Sequence, residues 1–143
     1  MTPENTQKLF DAFPRLYRGR VKSLQESLMA FGFCCGDGWF DLIWTLSQTI
    51  EYMARQEGRD PYDDAWPEAM QVKEKTGSLR FRLRKKSVSM ALVIQNAEAA
   101  SARTCELCGR PGSRVGGSGI ETLCPEHAQA RSTEPSSVPK KPV

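Results

Sequence analysis

The stretch TCELCGRPG sets Cys105 and Cys108 three positions apart, and the chain repeats that spacing at Cys124-Pro-Glu-His127 after a gap of fifteen residues. No other feature constrains the fold as strongly. Each pair closes a tight turn that brings both side chains to one side, and two such turns face to face make a tetrahedron of donors. Gly109 suits the turn after Cys108, where a positive φ lets backbone N–H groups point at sulfur. The intervening GRPGSRVGGSGIETL is polar and rich in glycine, with Val115 and Ile120 flanking GGSG, and it predicts a hairpin between two knuckles. A segment this short has almost no apolar core of its own, so its folding calls for a metal. Three thiolates and one imidazole are a zinc set: Cys105, Cys108, Cys124 and His127. With four protein ligands no position is left for a catalytic water, so the zinc reads as structural.

His127 is the chain's single histidine. Once it is assigned to the metal, none remains for Ser–His or Cys–His chemistry, and no catalytic residue is assigned. The five cysteines are an odd number, and MTPENTQKLFDAF lacks a basic segment followed by an apolar one. The expectation is a reducing, cytoplasmic setting without a secretory signal or a disulfide framework. No run approaches the roughly 18 apolar residues that span a bilayer, so no membrane partner is expected. The 143 residues suffice for one modest core and a small appendage.

Residues 3–13 predict a short helix, with Leu9, Phe10 and Phe13 on its apolar side. PRLYRGR reads as a connection, and residues 21–33 as a second short helix or an irregular core segment. Residues 35–58 carry the clearest helical pattern, with Trp39, Leu42, Ile43, Leu46, Ile50 and Met53 on one face and Asp37 as N-cap. The Asp60-Pro61 and Trp66-Pro67 steps predict a loop over 59–69. MQVKEKTGSLRFRLRKK predicts a β-hairpin turning at Thr76-Gly77, with Val72 opposite Phe81, Met70 opposite Leu83, and those side chains facing the core with Leu79. Residues 87–104 predict a helix capped by Ser87 or Ser89 that runs directly into the first knuckle. The expected fold is α+β: helices covering one face of a short antiparallel ribbon over residues 1–103, a zinc ribbon over 104–128, and a disordered tail over 129–143.

CGDGWFDLI, QVKEKTGSLRF, AEAASARTCELCGRPG and TLCPEH together resemble a family of small uncharacterised proteins of bacteria and tailed phages, often found among accessory genes. The resemblance spans roughly residues 8–128. It implies a mobile-element setting, a bacterial host cell, and the same four metal ligands, but no activity. The chain departs from the commoner pattern at Thr76, where an aromatic often precedes the glycine, and in RLRKKSVSM, which is more basic than usual.

The ribbon is the second functional candidate. Residues 71–86 hold seven Lys or Arg against one Glu. The register puts Lys73 opposite Arg80, and like charges across a ladder are unfavourable unless solvated, covered by acids or engaged with an anion. Residues 51–70 hold six acids and two arginines, so internal pairing competes with binding. Lys73, Lys75, Arg80, Arg82, Arg84, Lys85 and Lys86 are the candidate contacts for nucleic acid or an acidic host protein surface. Tyr17 and Tyr62 are the obvious spare aromatics, which is few for a single-strand binder. Three weaker signals remain. Cys34 and Cys35 read as core thiols beside Phe33. Asp63 or Asp64 with Gln71-Val72-Lys73 loosely resembles the acid and Gln-x-Lys arrangement of Mg²⁺-dependent nucleases. Asp37 and Asp41 lie one helical turn apart, although N-capping is the simpler role for Asp37. The sequence therefore points to a non-enzymatic, zinc-binding accessory protein that contacts a macromolecule, with a stoichiometric inhibitor of a host defence system as the alternative. No small-molecule substrate is implied.

Overall fold

The computed structural model describes residues 1–116 and 119–133. The fold is α+β. In chain order it contains α1 (Pro3–Ala12), β1 (Phe33–Cys34), α2 (Phe40–Gln56), β2 (Glu68–Lys75), β3 (Ser78–Arg84), α3 (Val88–Ser101), β4 (Ser113–Val115), β5 (Glu121–Leu123) and α4 (Pro125–Ser132). Short 3₁₀ turns at Arg18–Val21, Met29–Phe31 and Asp37–Trp39 fill the irregular stretches. The strands form two sheets, β1-β2-β3 and β4-β5.

The hairpin is organised by its turn. Thr76 and Gly77 both take positive φ, 49° and 83°, as a two-residue connection between right-twisted strands requires. The register that follows pairs Lys75 with Ser78, Lys73 with Arg80 and Val72 with Phe81. Beyond Gln71 the register shifts at a bulge, and Ala69 rather than Met70 faces Leu83. The bulge is why the expected Met70–Leu83 pair does not form: it swings Ala69 into the core and leaves Met70 half-buried. β2 also begins earlier than the expected loop allows, at Glu68.

β1 pairs with β2 in parallel, Phe33 beside Val72 and Cys34 beside Lys73, a pairing the sequence does not announce. The opposite edge, on β3, is closed by side chains of α3. Leu79 N–H donates to Ser101 Oγ at 2.8 Å and Phe81 N–H to Glu98 Oε2 at 3.0 Å, so the edge offers less to a foreign strand.

One core joins α1, α2, α3 and the inner sheet face. It includes Leu9, Met29, Trp39, Ile43, Ile50, Trp66, Val72, Leu79 and Met90. A second, much smaller cluster of Cys105, Leu123 and Cys124 belongs to the C-terminal module. Tyr17 is not a spare aromatic: it is fully buried, and its hydroxyl lies 2.6 Å from Ser47 Oγ. Residues 21–33 take the irregular alternative expected for them, with Met29 and Phe33 in the core, and PRLYRGR is more than a connection, since Leu16 and Tyr17 are buried there.

Helix ends refine the sequence reading. α3 starts at Val88 with Ser87 as N-cap, its side chain accepting from Met90 N–H at 3.3 Å. α2 starts only at Phe40, and Asp37 does not cap it. The Asp37 carboxylate instead accepts from Thr2 N–H, Thr2 Oγ and Asn5 Nδ2 at 2.9, 3.2 and 3.0 Å, so it serves the start of α1 from 35 positions along the chain. Desolvation opposes its ionisation, but these donors outweigh it and hold the carboxyl below the usual range. Residues 129–132, expected in the tail, continue α4. Residues 134–143 lie outside the described residues, as do Gly117 and Ser118 of GGSG.

Candidate metal centre and basic sheet face

The first knuckle folds around Cys105. Its N–H donates to Arg110 C=O at 2.7 Å, and Gly109 N–H returns to Cys105 C=O at 2.9 Å. Gly109 sits at φ 80°, the left-handed conformation anticipated for it. The second knuckle is a helix start. Cys124 is the N-cap of α4, Pro125 occupies the first turn, and Cys124 Sγ accepts from His127 N–H at 3.4 Å. One local motif therefore both begins the helix and turns the His127 ring toward the sulfur of Cys124. The β4–β5 hairpin spans the gap, with Ser113 opposite Leu123, and brings the knuckles together.

The four donor atoms lie within 4.8 Å of one another. Tetrahedral bonds of about 2.3 Å to sulfur and 2.0–2.1 Å to nitrogen require S···S of about 3.8 Å and S···N of about 3.5 Å. Cys108 Sγ lies 3.8 Å from Cys124 Sγ, and His127 Nδ1 lies 3.5 Å from Cys105 Sγ and 3.2 Å from Cys124 Sγ. These separations match a shared central ion and are far too long for a disulfide, whose sulfurs are about 2.05 Å apart. Burial would raise the Cys105 thiol. The backbone N–H groups of Cys124, Cys108 and Leu107 reverse that and bring it down to about 6, which favours the ligating thiolate. Cys105, Cys108, Cys124 and His127 can hold a metal ion.

The module is docked on the body. Gly36 N–H donates to Glu106 Oε2 at 2.9 Å, Gly38 N–H to Glu106 C=O at 2.8 Å, and Trp39 Nε1 to Thr104 C=O at 2.9 Å. A Cβ on Gly38 would meet the main chain of Cys105 and Glu106, so the close approach is possible only for glycine. At the far end Thr122 Oγ donates to Gly77 C=O in the hairpin turn. The sequence reading missed this use of Gly36, Gly38 and Glu106, and the glycines flanking Asp37 were its available signal.

The outer face of the main sheet carries Gln71, Lys73, Lys75, Ser78, Arg80 and Arg82, as their register dictates. The ribbon's one glutamate, Glu74, pairs with Leu79 on the other face and accepts from Gly77 N–H at 2.8 Å. Among the described residues no carboxylate lies within 4.0 Å of the charged groups of Lys73, Lys75, Arg80 or Arg82. Arg84 is spent differently. It bridges Asp64 at 2.7 Å and Glu68 at 2.8 Å, and Lys85 lies 3.9 Å from Asp64. Lys86 is exposed beyond the strand. Internal pairing, the competing expectation, thus holds for Arg84 and Lys85 but not for the middle of the ribbon.

Glu68 explains why Arg84 turns away. It is fully buried beneath the 18–27 segment, where Lys22 reaches it at 2.9 Å and Arg18 at 3.6 Å. Desolvation pushes its carboxyl up, but hydrogen bonds from Lys22 and Arg84 and the charge of Arg18 win and lower it.

The remaining candidates separate. Asp64 is held by Arg84 opposite Glu68, five residues along β2 from Lys73, or about 16 Å of strand. Asp64, one of the two candidate acids of the nuclease pattern, is thus engaged by Arg84 at the far end of β2 from Lys73 of the Gln-x-Lys element. Asp37 braces Thr2, the N-cap of α1, and Asp41 lines a shallow groove with Leu42, Leu46, Val93 and Ala97. Cys35 is buried, which pushes its thiol up to about 12 and makes it inert. Cys34 is not a core thiol: it is exposed, on the strand position beside Lys73.

No helix among the described residues is long and apolar enough to cross a membrane. Comparison with protein-family models, curated proteins and solved structures finds no match to this chain.

Proposed function

We propose that the protein is a non-enzymatic binding protein, stabilised by a structural zinc ion, whose basic sheet face engages nucleic acid. The resemblance noted above sets it among the accessory proteins of phages or other mobile elements. The single observation that carries the binding reading is the run of four cations, Lys73, Lys75, Arg80 and Arg82, with no carboxylate partner among the described residues. Lys73 and Arg80 face each other across the ladder, an unfavourable arrangement that a bound polyanion relieves. Apart from Cys34 and the half-buried Met70 at the bulge, the strand positions of the face carry no apolar side chain. Protein interfaces are organised around apolar or aromatic anchors, whereas phosphate binding needs only cations. This favours nucleic acid over an acidic protein surface.

Zinc fits the centre because three thiolates and an imidazole in a closed tetrahedron are its preferred structural set. Its role is to fold residues 104–132, whose own apolar cluster is too small to do so.

Mobility shift and anisotropy with duplex DNA over a salt series test the reading. Binding should weaken steeply with salt, and Arg80→Gln with Arg82→Gln should lower the log–log slope by about 2. Absence of binding at low salt would refute it. A pull-down from bacterial lysate that recovers one stoichiometric protein partner, insensitive to nuclease, would favour the host-inhibitor alternative instead.

A further inference from the structure

Resting on that reading, we infer that the polyanion surface is composite: it continues from the sheet onto the metal module through Arg114, and its ligand is a duplex phosphate backbone that spans both. Arg114 lies on β4 opposite Thr122, the residue whose hydroxyl holds the carbonyl of Gly77. The aliphatic stem of Arg114 packs on the hairpin tip, its Cγ 3.5 Å from where a Gly77 Cβ would be. Gly77 follows Lys75 by two residues, so Arg114 adds a cation where the sheet's own row ends.

Arg114 is exposed, and no carboxylate among the described residues pairs with it. The module's neighbouring arginine behaves differently: Arg110 is bonded to Glu126 at 3.0 Å. From Arg82 to Lys75 the sheet offers about 13 Å of cationic strand. Arg114, packed beside the turn, sets a further cation at the Lys75 end of that row.

A duplex is the class indicated because the row lacks stacking groups. The paired sheet positions of the row are Lys, Arg, Gln and Ser; Tyr17 is buried, Tyr62 stacks against Arg15, and the exposed Phe31 and Tyr52 lie off the strands, in the turn before β1 and on α2. Single strands are held chiefly by base stacking on aromatics, and duplexes by their phosphates. The zinc module would then have a second role beyond its own folding: without the metal, the hairpin that presents Arg114 has no scaffold.

The test is fluorescence anisotropy of a short random-sequence duplex DNA with the zinc-loaded full chain across a salt series. Arg114→Gln should lower the log–log slope by about 0.9 and weaken binding several-fold near 0.1 M salt, while zinc content and helicity stay unchanged. Arg110→Gln should leave the slope unaltered. Equal slopes for wild type and Arg114→Gln, with Arg80→Gln and Arg82→Gln still lowering them, would overturn the composite surface and leave the sheet reading standing. An equal loss in Arg110→Gln would overturn it too, since general charge would then suffice. Tighter binding of single-stranded DNA, or equal competition by polyglutamate, would refute the duplex assignment. Failure of the wild type to bind any duplex would remove the underlying reading itself.

Discussion

Replacing Gly38 by alanine tests whether the metal module and the body form one unit. The backbone at Gly38 is not in the left-handed region, so alanine carries no conformational penalty there. The penalty is steric. The new Cβ would lie 2.6 Å from both the carbonyl carbon and oxygen of Glu106, and closer still to Cys105 C=O. Ordinary carbon contacts are about 3.5–4.0 Å, so the first knuckle must retreat by roughly 1 Å. It cannot retreat cheaply, because those atoms are main chain of the hydrogen-bonded knuckle that carries Cys105. Retreat breaks three docking hydrogen bonds, from Gly36, Gly38 and Trp39. At about 1 kcal/mol each they sum to about 3 kcal/mol. Partial exposure of the fully buried Trp39 ring adds about 1 kcal/mol. Against a typical domain stability of about 5–15 kcal/mol this is a large loss. Gly116→Ala is the control: nothing lies within 4 Å of its would-be Cβ, and it should change stability by less than about 0.5 kcal/mol. Equilibrium urea unfolding followed by circular dichroism, with zinc content measured in parallel, reads both variants. If Gly38→Ala unfolds at the same urea concentration as Gly116→Ala, the docking does not exist as described.

Glu68→Gln should cost about 2–4 kcal/mol by leaving Arg18, Lys22 and Arg84 without their buried counter-charge, the loss being limited because Lys22 and Arg84 can turn to solvent. Because Glu68 is lowered in the fold, its contribution is present above the ordinary carboxylate value of about 4.3 and is lost as pH falls through the lowered one. Acid titration should therefore destabilise the wild type more steeply than Glu68→Gln, and parallel curves would contradict this. Glu51 has the opposite sign. Burial raises it against the hydrogen bond from Trp66 Nε1, so its contribution is present at low pH and is lost as pH rises through the raised value. Glu51→Gln should gain on the wild type in thermal unfolding as pH rises above the ordinary carboxylate value of about 4.3, and a constant difference would count against the assignment. Chelation of the metal should abolish the helicity of α4 while the larger core still unfolds cooperatively at a lower temperature. An unchanged circular dichroism spectrum and melting point after complete metal removal would refute a structural role.

The parts of the fold read correctly from the sequence are those governed by neighbours in the chain. Thr76-Gly77 sets the turn, the turn sets the register, and the register sets Lys73 against Arg80. The Cys and His spacing likewise determines which donors meet, because each knuckle is a local turn. What escaped the reading depends on distant contacts. Asp37 sits before a helix with the pattern of a cap, yet its carboxylate finds Thr2 and Asn5 instead. The bulge at Met70 has no local signature. It accommodates Ala69 against Leu83 and Glu68 against Arg84. Tyr17 stands just before Arg18 in an arginine-rich stretch, and only the placement of Ser47 on α2 reveals why it is buried. The basic face was visible as a charge count, but which cations were spoken for required Glu68 and Asp64 to be located.

The Gly36-Asp37-Gly38 loop is shared by two segments that lie far apart in the chain. Its glycines are gripped by Glu106, while the aspartate between them steadies the start of α1. Three consecutive residues thus couple Thr2 and Asn5 to the first knuckle, so a change that unseats the loop from one of them loosens its hold on the other.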